Sequence, residues 1–278
     1  MQINKKITFL GAGSMAEAII GGLISRDIVA PHSITAANLQ DQKRLNYIKE
    51  TYKIKTQANR LEATDSADII ILAMKPKNFH DAISHIKHVI SKDQLIVSVI
   101  AGIPTSQIEE TLGEDIPVIR TMPNTSAKVG ESASAICRGK HATDAHLFTV
   151  ETLFNAIGTV SIVEEAQMDA VTGIAGSGPA YFYYMIEAME KAGCEAGLSE
   201  EQTHELVRQT IIGVGKRLQN TSKSPKELYQ EVMSPGGTTE AGIHTLAKHH
   251  FQETVQEAVG NAVTRSKELG QSLPTIQK

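Results

Sequence analysis

The chain has 278 residues, 41 % of them hydrophobic, enough to bury a core and more than one domain of the commonest size requires. A net charge of −4, a pI near 6.2 and the lack of any run of five like charges argue against a nucleic-acid surface or a basic membrane patch. The longest apolar run, Ala67–Met74, is broken by Asp68 and is too short for a bilayer, and MQINKKITFLGAG reads as a first strand, not a secretion signal, so a cytosolic protein is expected.

The first half alternates short apolar runs with helical stretches. Ile7–Leu10, Ile34–Ala37, Ile69–Ala73, Leu95–Val99 and Val118–Thr121 read as strands buried on both faces, followed by Ser132–Cys137 and Val160–Val163. Between them, Asp41 caps the helix DQKRLNYIKETY, Asn59 with Glu62 forms a capping box, Pro76 marks a first turn, and Pro104 opens PTSQIEETL. A further helix runs from about Ala145 to Ala156. This succession predicts a doubly wound sheet with right-handed crossovers.

Beyond Glu165 the β-branched runs stop. Pro179–Ala196, a helix capped by Ser199 and Gln202 that continues to Gln219, another opened by Ser224-Pro225-Lys226-Glu227, and Phe251–Leu269 predict a region made only of helices. The expected domains are therefore residues 1–164, a Rossmann-type α/β domain, and 165–278, an all-helical one. Long helices with apolar faces in so small a domain predict a homodimer as the minimum assembly. Cys137 and Cys194 form no C-x-x-C pair and are expected to be buried reduced thiols. The ten histidines lack clustered cysteine or carboxylate partners, so they read as surface residues and no metal site is expected.

ITFLGAGSMAEAIIGGL places Gly11-Ala12-Gly13 between the first strand and a helix, with Ala16 at the third small position of a dinucleotide fingerprint. Glycines admit a pyrophosphate to the backbone, and the helix N-terminus meets its charge with free N–H groups. The end of the second strand carries Asn38 instead of a carboxylate, and Lys43 and Arg44 follow, which favours NADPH, with NADH as a possible second donor. Asn59, at the start of a helix after the third strand, either touches the adenosine side or only caps its helix.

The strand-end segments AMKPKNF, IAGIPTS and RTMPNTSAKVGES lie where ligands bind in open α/β sheets. Lys75 is either a cofactor anchor or solvated surface, and Asn124 either binds a polar ligand group or shapes a turn. The expected cofactor set is Gly11, Gly13, Ser14, Met15, Asn38, Asn59, Ala73, Lys75, Pro76, Ala101 and Gly102.

FLGAGSMAEAI, LAMKP, MPNTSAKVGE, DAVTGIAGSGPAY and SPGGTTEAGI together resemble the pyrroline-5-carboxylate reductases over nearly the whole chain. AMKPK and MPNTSA depart slightly from the family's usual A-V-K-P-Q and M-P-N-T-P-A. The resemblance implies reduction of 1-pyrroline-5-carboxylate to L-proline with NAD(P)H, the last step of proline biosynthesis. It also implies a helical dimerisation domain, an active site shared with a dimer partner, and often higher assembly. Ser177 and Gly178, in the Gly176–Pro179 turn, are expected near the substrate, though the turn also reads as a packing kink between helices. Ser234, Gly236, Gly237, Thr238 and Thr239 precede or open a helix and are expected to hold the substrate carboxylate. The resemblance puts Thr239 near the ring nitrogen as the catalytic hydroxyl, while Glu164, Glu165 and Asp169 read as helix-start charges.

Two rival readings have a sequence test. A 3-hydroxyacid dehydrogenase of the related two-domain class needs a lysine base after the second glycine motif, where this chain has Ala180-Tyr181-Phe182-Tyr183 and reaches Lys191 only three turns later. A cofactor-sensing protein without turnover would have no need of Thr239 or the complete SPGGTT loop.

Overall fold

The computed structural model describes residues 2–39, 41–113 and 115–271; residues 272–278 of the expected helical domain lie outside these. Eight strands form one sheet: β1 (Ile7–Leu10), β2 (Ile34–Ala37), β3 (Lys55–Gln57), β4 (Ile69–Leu72), β5 (Leu95–Ser98), β6 (Val118–Met122), β7 (Ser132–Arg138) and β8 (Gly158–Ile162). Their order is β3-β2-β1-β4-β5-β6-β7-β8, so the chain winds outward from β1 in both directions, as the βαβ pattern predicts. The helices of this part are α1 (Ser14–Ser25), α2 (Gln42–Tyr52), α3 (Arg60–Thr64), α4 (Phe79–Ile86), α5 (Thr105–Leu112), α6 (Asp144–Phe154) and α7 (Met168–Val171).

Strand periodicity divides the core. Ile69 and Ile71 point to a cluster with Ile19, Ile20, Leu23 and Phe154, while Ile70 and Leu72 point to the opposite face with Phe79, Ile83 and Ile108. Both faces are covered, which explains why these strands are continuous apolar runs. β3 has no such signature: Lys55-Thr56-Gln57 is a polar edge strand paired only with β2.

One pairing departs from an all-parallel reading, since β7 runs antiparallel to β6. A parallel return needs about a dozen residues or more. The link from Met122 to Ser132 is shorter, and it is filled by the 3₁₀ turn Thr125–Val129 and by Gly130 at φ 75°. β8 then pairs parallel with β7 after crossing over through α6.

The chain divides into two compact units, one running to Pro179 and resuming at Asn261, the other being Ala180–Gly260. The later helices are α8 (Gly178–Glu195), α9 (Glu200–Gln219), α10 (Pro225–Val232), α11 (Thr238–Lys248) and α12 (Phe251–Gln271). The expected boxes Ser199–Gln202 and Ser224–Glu227 both form. Between Ala180 and Gly260, Thr203 and Val207 are the buried residues among those described, while Phe182, Tyr184, Leu206 and Val232 are exposed.

Two expectations need correction. Cys137 is buried, but Cys194 is exposed, although its thiol reaches Thr203 Oγ1 on the next helix at 3.8 Å. His80 is half-buried against Phe79, ring centroids 5.1 Å apart, and neither ring nitrogen finds a partner, so it is no surface histidine. No group of three histidine, cysteine or carboxylate side chains suited to a metal occurs among the described residues, and none of the described helices is long and apolar enough to cross a membrane.

Candidate active site

The ends of β1, β2 and β4 converge on the first glycine loop. Gly11 donates to the Ala37 carbonyl at 2.9 Å, and Ala73 donates to Leu10 at 2.9 Å. Gly11 has φ 113°, and a Cβ there would lie 2.5 Å from the Ala73 carbonyl oxygen, so the loop and the β4 end touch through bare backbone. Gly13 differs: a Cβ on it would meet nothing within 4 Å. Gly13 is also the residue before α1 and offers no side chain to cap the first N–H groups at Ser14 and Met15. An open, uncapped helix N-terminus with room above it fits a pyrophosphate.

Asn38 is half-buried directly after β2, and no carboxylate stands at that strand end. Asp41 caps α2 by accepting from the Arg44 N–H at 2.8 Å, as expected. Arg44 itself turns inward. Its Nε donates to the Ala12 carbonyl at 2.7 Å and its guanidinium pairs with Glu17, whose other oxygen accepts from Tyr52 at 3.2 Å. Burial pushes the Glu17 carboxyl up, but hydrogen bonds from Arg44, Tyr47 and Tyr52 and the Arg44 charge outweigh it and hold the pKa below the usual value.

Asn59 does cap α3, but not as a capping box. Its Oδ1 accepts from Leu61 N–H at 3.0 Å, its amide donates to the Glu62 side chain at 2.9 Å, and its own N–H faces Gln57 Oε1 at 3.4 Å. Gln57, on β3, has taken the place that Glu62 would fill in the box. Lys75 and Pro76 are exposed after β4, and Lys75 precedes a 3₁₀ turn without capping it. Ala101 is half-buried and Gly102 buried after β5, and the end of α12 packs on Gly102, with Gly270 N 3.4 Å from where a Cβ would stand.

Asn124 follows β6 with both ends of its amide engaged. Oδ1 accepts from Ser126 N–H at 3.0 Å, and Nδ2 donates to the Ala175 carbonyl at 3.0 Å. These bonds are those of the turn-shaping alternative. Thr172–Gly176 is a π-helical turn in which Ser177 N–H reaches Thr172 at 2.8 Å, and α8 begins at once with Gly178. The Gly-Ser-Gly-Pro sequence is thus a bulge in nearly continuous helix, tied to the rim of the sheet by Asn124, and Ser177 and Gly178 lie at that bulge.

A partly buried ion pair, missed in the sequence, joins β6 to the turn that precedes α7. Arg120 on β6 pairs with Glu165, which also accepts from Thr105 through N–H at 3.1 Å and Oγ1 at 2.8 Å. Burial pushes Glu165 up, yet Arg120 and Thr105 bring its pKa below the ordinary carboxylate value. Burial first, then the Glu165 charge, pushes the Cys137 thiol up, which disfavours its thiolate. Glu164 caps its own turn, and Asp169 accepts from Ser266 at 2.6 Å, so all three acids have structural partners. Only an alternation-breaking arginine inside an apolar strand signalled the pair in advance.

In the second unit, Ser234–Thr239 leads into α11 behind Gly237, which supplies no capping side chain. Two of its amides are already used: Gly237 N–H donates to Ser234 at 2.9 Å, and Gly236 N–H to the Glu240 carboxylate at 2.7 Å. The uncapped donors are those of the first helical turn, at Thr238 and Thr239, and both residues add hydroxyls.

A doubly wound sheet whose first βα turn is a glycine loop, with no acid after β2 and a helical region following it in the sequence, defines a dinucleotide-dependent oxidoreductase. Comparison with known proteins makes this specific. Residues 165–269 match the family model for pyrroline-5-carboxylate reductase dimerisation, and residues 6–102 match that for NADP oxidoreductase, coenzyme F420-dependent. Pyrroline-5-carboxylate reductase 1 of Bacillus subtilis (strain 168) is 42 % identical over 270 residues, 97 % of this chain and 91 % of that protein. The structure of a pyrroline-5-carboxylate reductase from Coxiella burnetii superposes with a TM-score of 0.89 at 32 % identity, covering 96 % of this chain and 99 % of that one. That of the Plasmodium falciparum pyrroline carboxylate reductase with NADP bound gives 0.88 at 30 %, covering 97 % and 100 %. The chain belongs to the pyrroline-5-carboxylate reductase family.

Proposed function

We propose that this chain reduces 1-pyrroline-5-carboxylate to L-proline, the last step of proline biosynthesis, with NADPH as the preferred donor. The observation that carries the reading is the uncapped N-terminus of α1 behind an open Gly13, in a chain of this family. When bound, NADPH supplies the hydride that the C=N carbon requires. The protein's part is to hold, orient and exclude water.

Gly11, Gly13, Ser14 and Met15 would hold the pyrophosphate, Asn38 and Asn59 the adenosine side, and Ala73, Lys75, Pro76, Ala101 and Gly102 the remainder of the dinucleotide along the strand ends. NADPH over NADH is supported by the missing acid after β2, since a carboxylate there would repel a 2′-phosphate. The substrate carboxylate is assigned to the N–H and hydroxyl groups of Thr238 and Thr239, with Ser234, Gly236 and Gly237 shaping the turn. Ser177 and Gly178 contribute bare backbone beside the ring. A helix terminus contributes only about 0.3–1 kcal/mol to an anion, so direct hydrogen bonds must supply most of the affinity. Thr239 is the catalytic hydroxyl, orienting the ring nitrogen while that nitrogen receives or keeps its proton.

The working unit is a homodimer or a higher homo-oligomer of cytosolic chains, with residues 1–164 and 165–278 as its functional domains. Assembly is supported by the dimerisation model and by the exposed Phe182, Tyr184, Leu206 and Val232. Neither nucleic acid nor membrane has a role in this reading.

The test is NADPH oxidation by purified protein with pyrroline-5-carboxylate, run beside NADH and beside a 3-hydroxyacid with NADP⁺. Turnover with the imine is expected; turnover with the hydroxyacid alone, or tight NADPH binding with neither activity, would reject the reading.

A further inference from the structure

The first turn of α2 follows the β2 end, so Arg44 occupies a place from which a cation usually meets the adenosine ribose or its phosphate. Its guanidinium is instead fixed on three sides, by the Ala12 carbonyl, by Glu17 and by the Tyr47 ring 5.2 Å below it. Both members of the ion pair are three-quarters or more buried at the side chain, and Tyr52 steadies the far oxygen of Glu17. A planar fork with this set of partners has little freedom to swing elsewhere.

Ala12 lies between the two loop glycines, and its carbonyl shares one rigid peptide plane with the Gly13 N–H. Gripping that carbonyl therefore sets the direction in which the Gly13 amide points. Glu17, kept ionised by its partners, also cancels much of the charge that Arg44 would otherwise direct outward.

We propose that Arg44 is a positioning residue for the glycine loop, locked onto Ala12 by Glu17, and that it serves NADPH and NADH alike instead of binding the 2′-phosphate. This rests on the loop being the cofactor site. It revises the expectation that Arg44 favours NADPH, and it leaves discrimination between the two cofactors to other groups.

Calorimetric titration of the full-length protein with NADPH and with NADH separates the two ideas. If the native protein binds neither, the loop assignment itself fails. Given binding, Arg44→Gln should weaken both cofactors by a common factor of about ten, the loss typical of one charge-assisted hydrogen bond. Arg44→Lys should behave the same way, because an ammonium cannot span the Ala12 carbonyl and Glu17 together. Glu17→Gln should also weaken both equally and covers the case in which the arginine variants do not fold. A loss confined to NADPH, a lysine variant that restores NADPH alone, a selective gain for NADPH in Glu17→Gln, or unchanged affinities throughout would each overturn the proposal.

Discussion

The Asn124 amide donates to the Ala175 carbonyl at 3.0 Å, four residues before Pro179. In an unbroken α-helix that carbonyl would accept from residue 179, but proline has no N–H and its ring crowds the oxygen. A side chain from the rim of the sheet thus completes the helix that proline leaves open. Asn124→Ala should cost about 1 kcal/mol in denaturant unfolding, the low end of the penalty for an acceptor left unpaired, because the Ala175 carbonyl is only part-buried. Adding Pro179→Ala, which returns an N–H, should recover part of that loss; a double variant no more stable than Asn124→Ala would contradict this account.

The two loop glycines should separate stability from binding. Gly11→Ala forces a side chain into the Ala73 backbone at positive φ, so both melting temperature and NADPH affinity should fall. Gly13→Ala meets open space, and stability should stay within about 0.5 kcal/mol while NADPH binding drops sharply. Equal behaviour of the two variants in paired thermal melts and NADPH titrations would remove Gly13 from the cofactor set.

The partly buried Arg120–Glu165 pair should show in the pH dependence of folding. The folded-state pKa of Glu165 lies below its unfolded value, so its contribution is present above the ordinary carboxylate range near pH 4.3 and is lost as pH falls through the folded pKa. Removing Glu165 strands Arg120, a loss of about 3 kcal/mol, the low end for a buried pair because the Glu165 side chain is 32 % exposed. The stability gap between the native chain and Glu165→Gln should narrow on acidification; a gap that stays flat would mean the pair carries no net charge interaction, and one that widens would mean that burial outweighs Arg120 at this carboxyl.

Glu240 occupies the Gly236 amide and adds negative charge to the first turn of α11. If that turn receives the substrate carboxylate, the two anions oppose each other, at roughly 1 kcal/mol for charges about 4 Å apart in water. Glu240→Gln should therefore lower KM for pyrroline-5-carboxylate about fivefold with little change in kcat. A raised KM would show that Glu240 supports the turn more than it repels the ligand.

Thr239→Ala should reduce kcat by less than the roughly 10²–10⁴-fold typical of a positioned acid. Steady-state kinetics at saturating NADPH decide this, and a larger loss would make the hydroxyl a proton donor in its own right.

Much of this was legible because each signal had one physical meaning. Ile69–Leu72 could only be a strand covered on both faces, and Ser199 with Gln202 could only start a helix. β3 escaped because an edge strand needs no apolar run, and the direction of β7 escaped because it is set by the length of a connection. Arg44 was read from its position after β2, but its partner Glu17 lies on another helix, and no local pattern announces such a contact. The same is true of Asn124, whose amide donates to a carbonyl 51 residues away.

Thr203 and Val207 are the whole buried complement of Ala180–Gly260 among the described residues, too small an interior to hold several long helices by itself. Dilution should therefore loosen this part of the molecule well before the sheet, and heat should melt it at a temperature that climbs with protein concentration. Cellular abundance becomes, for such a chain, a term in its own folding equilibrium.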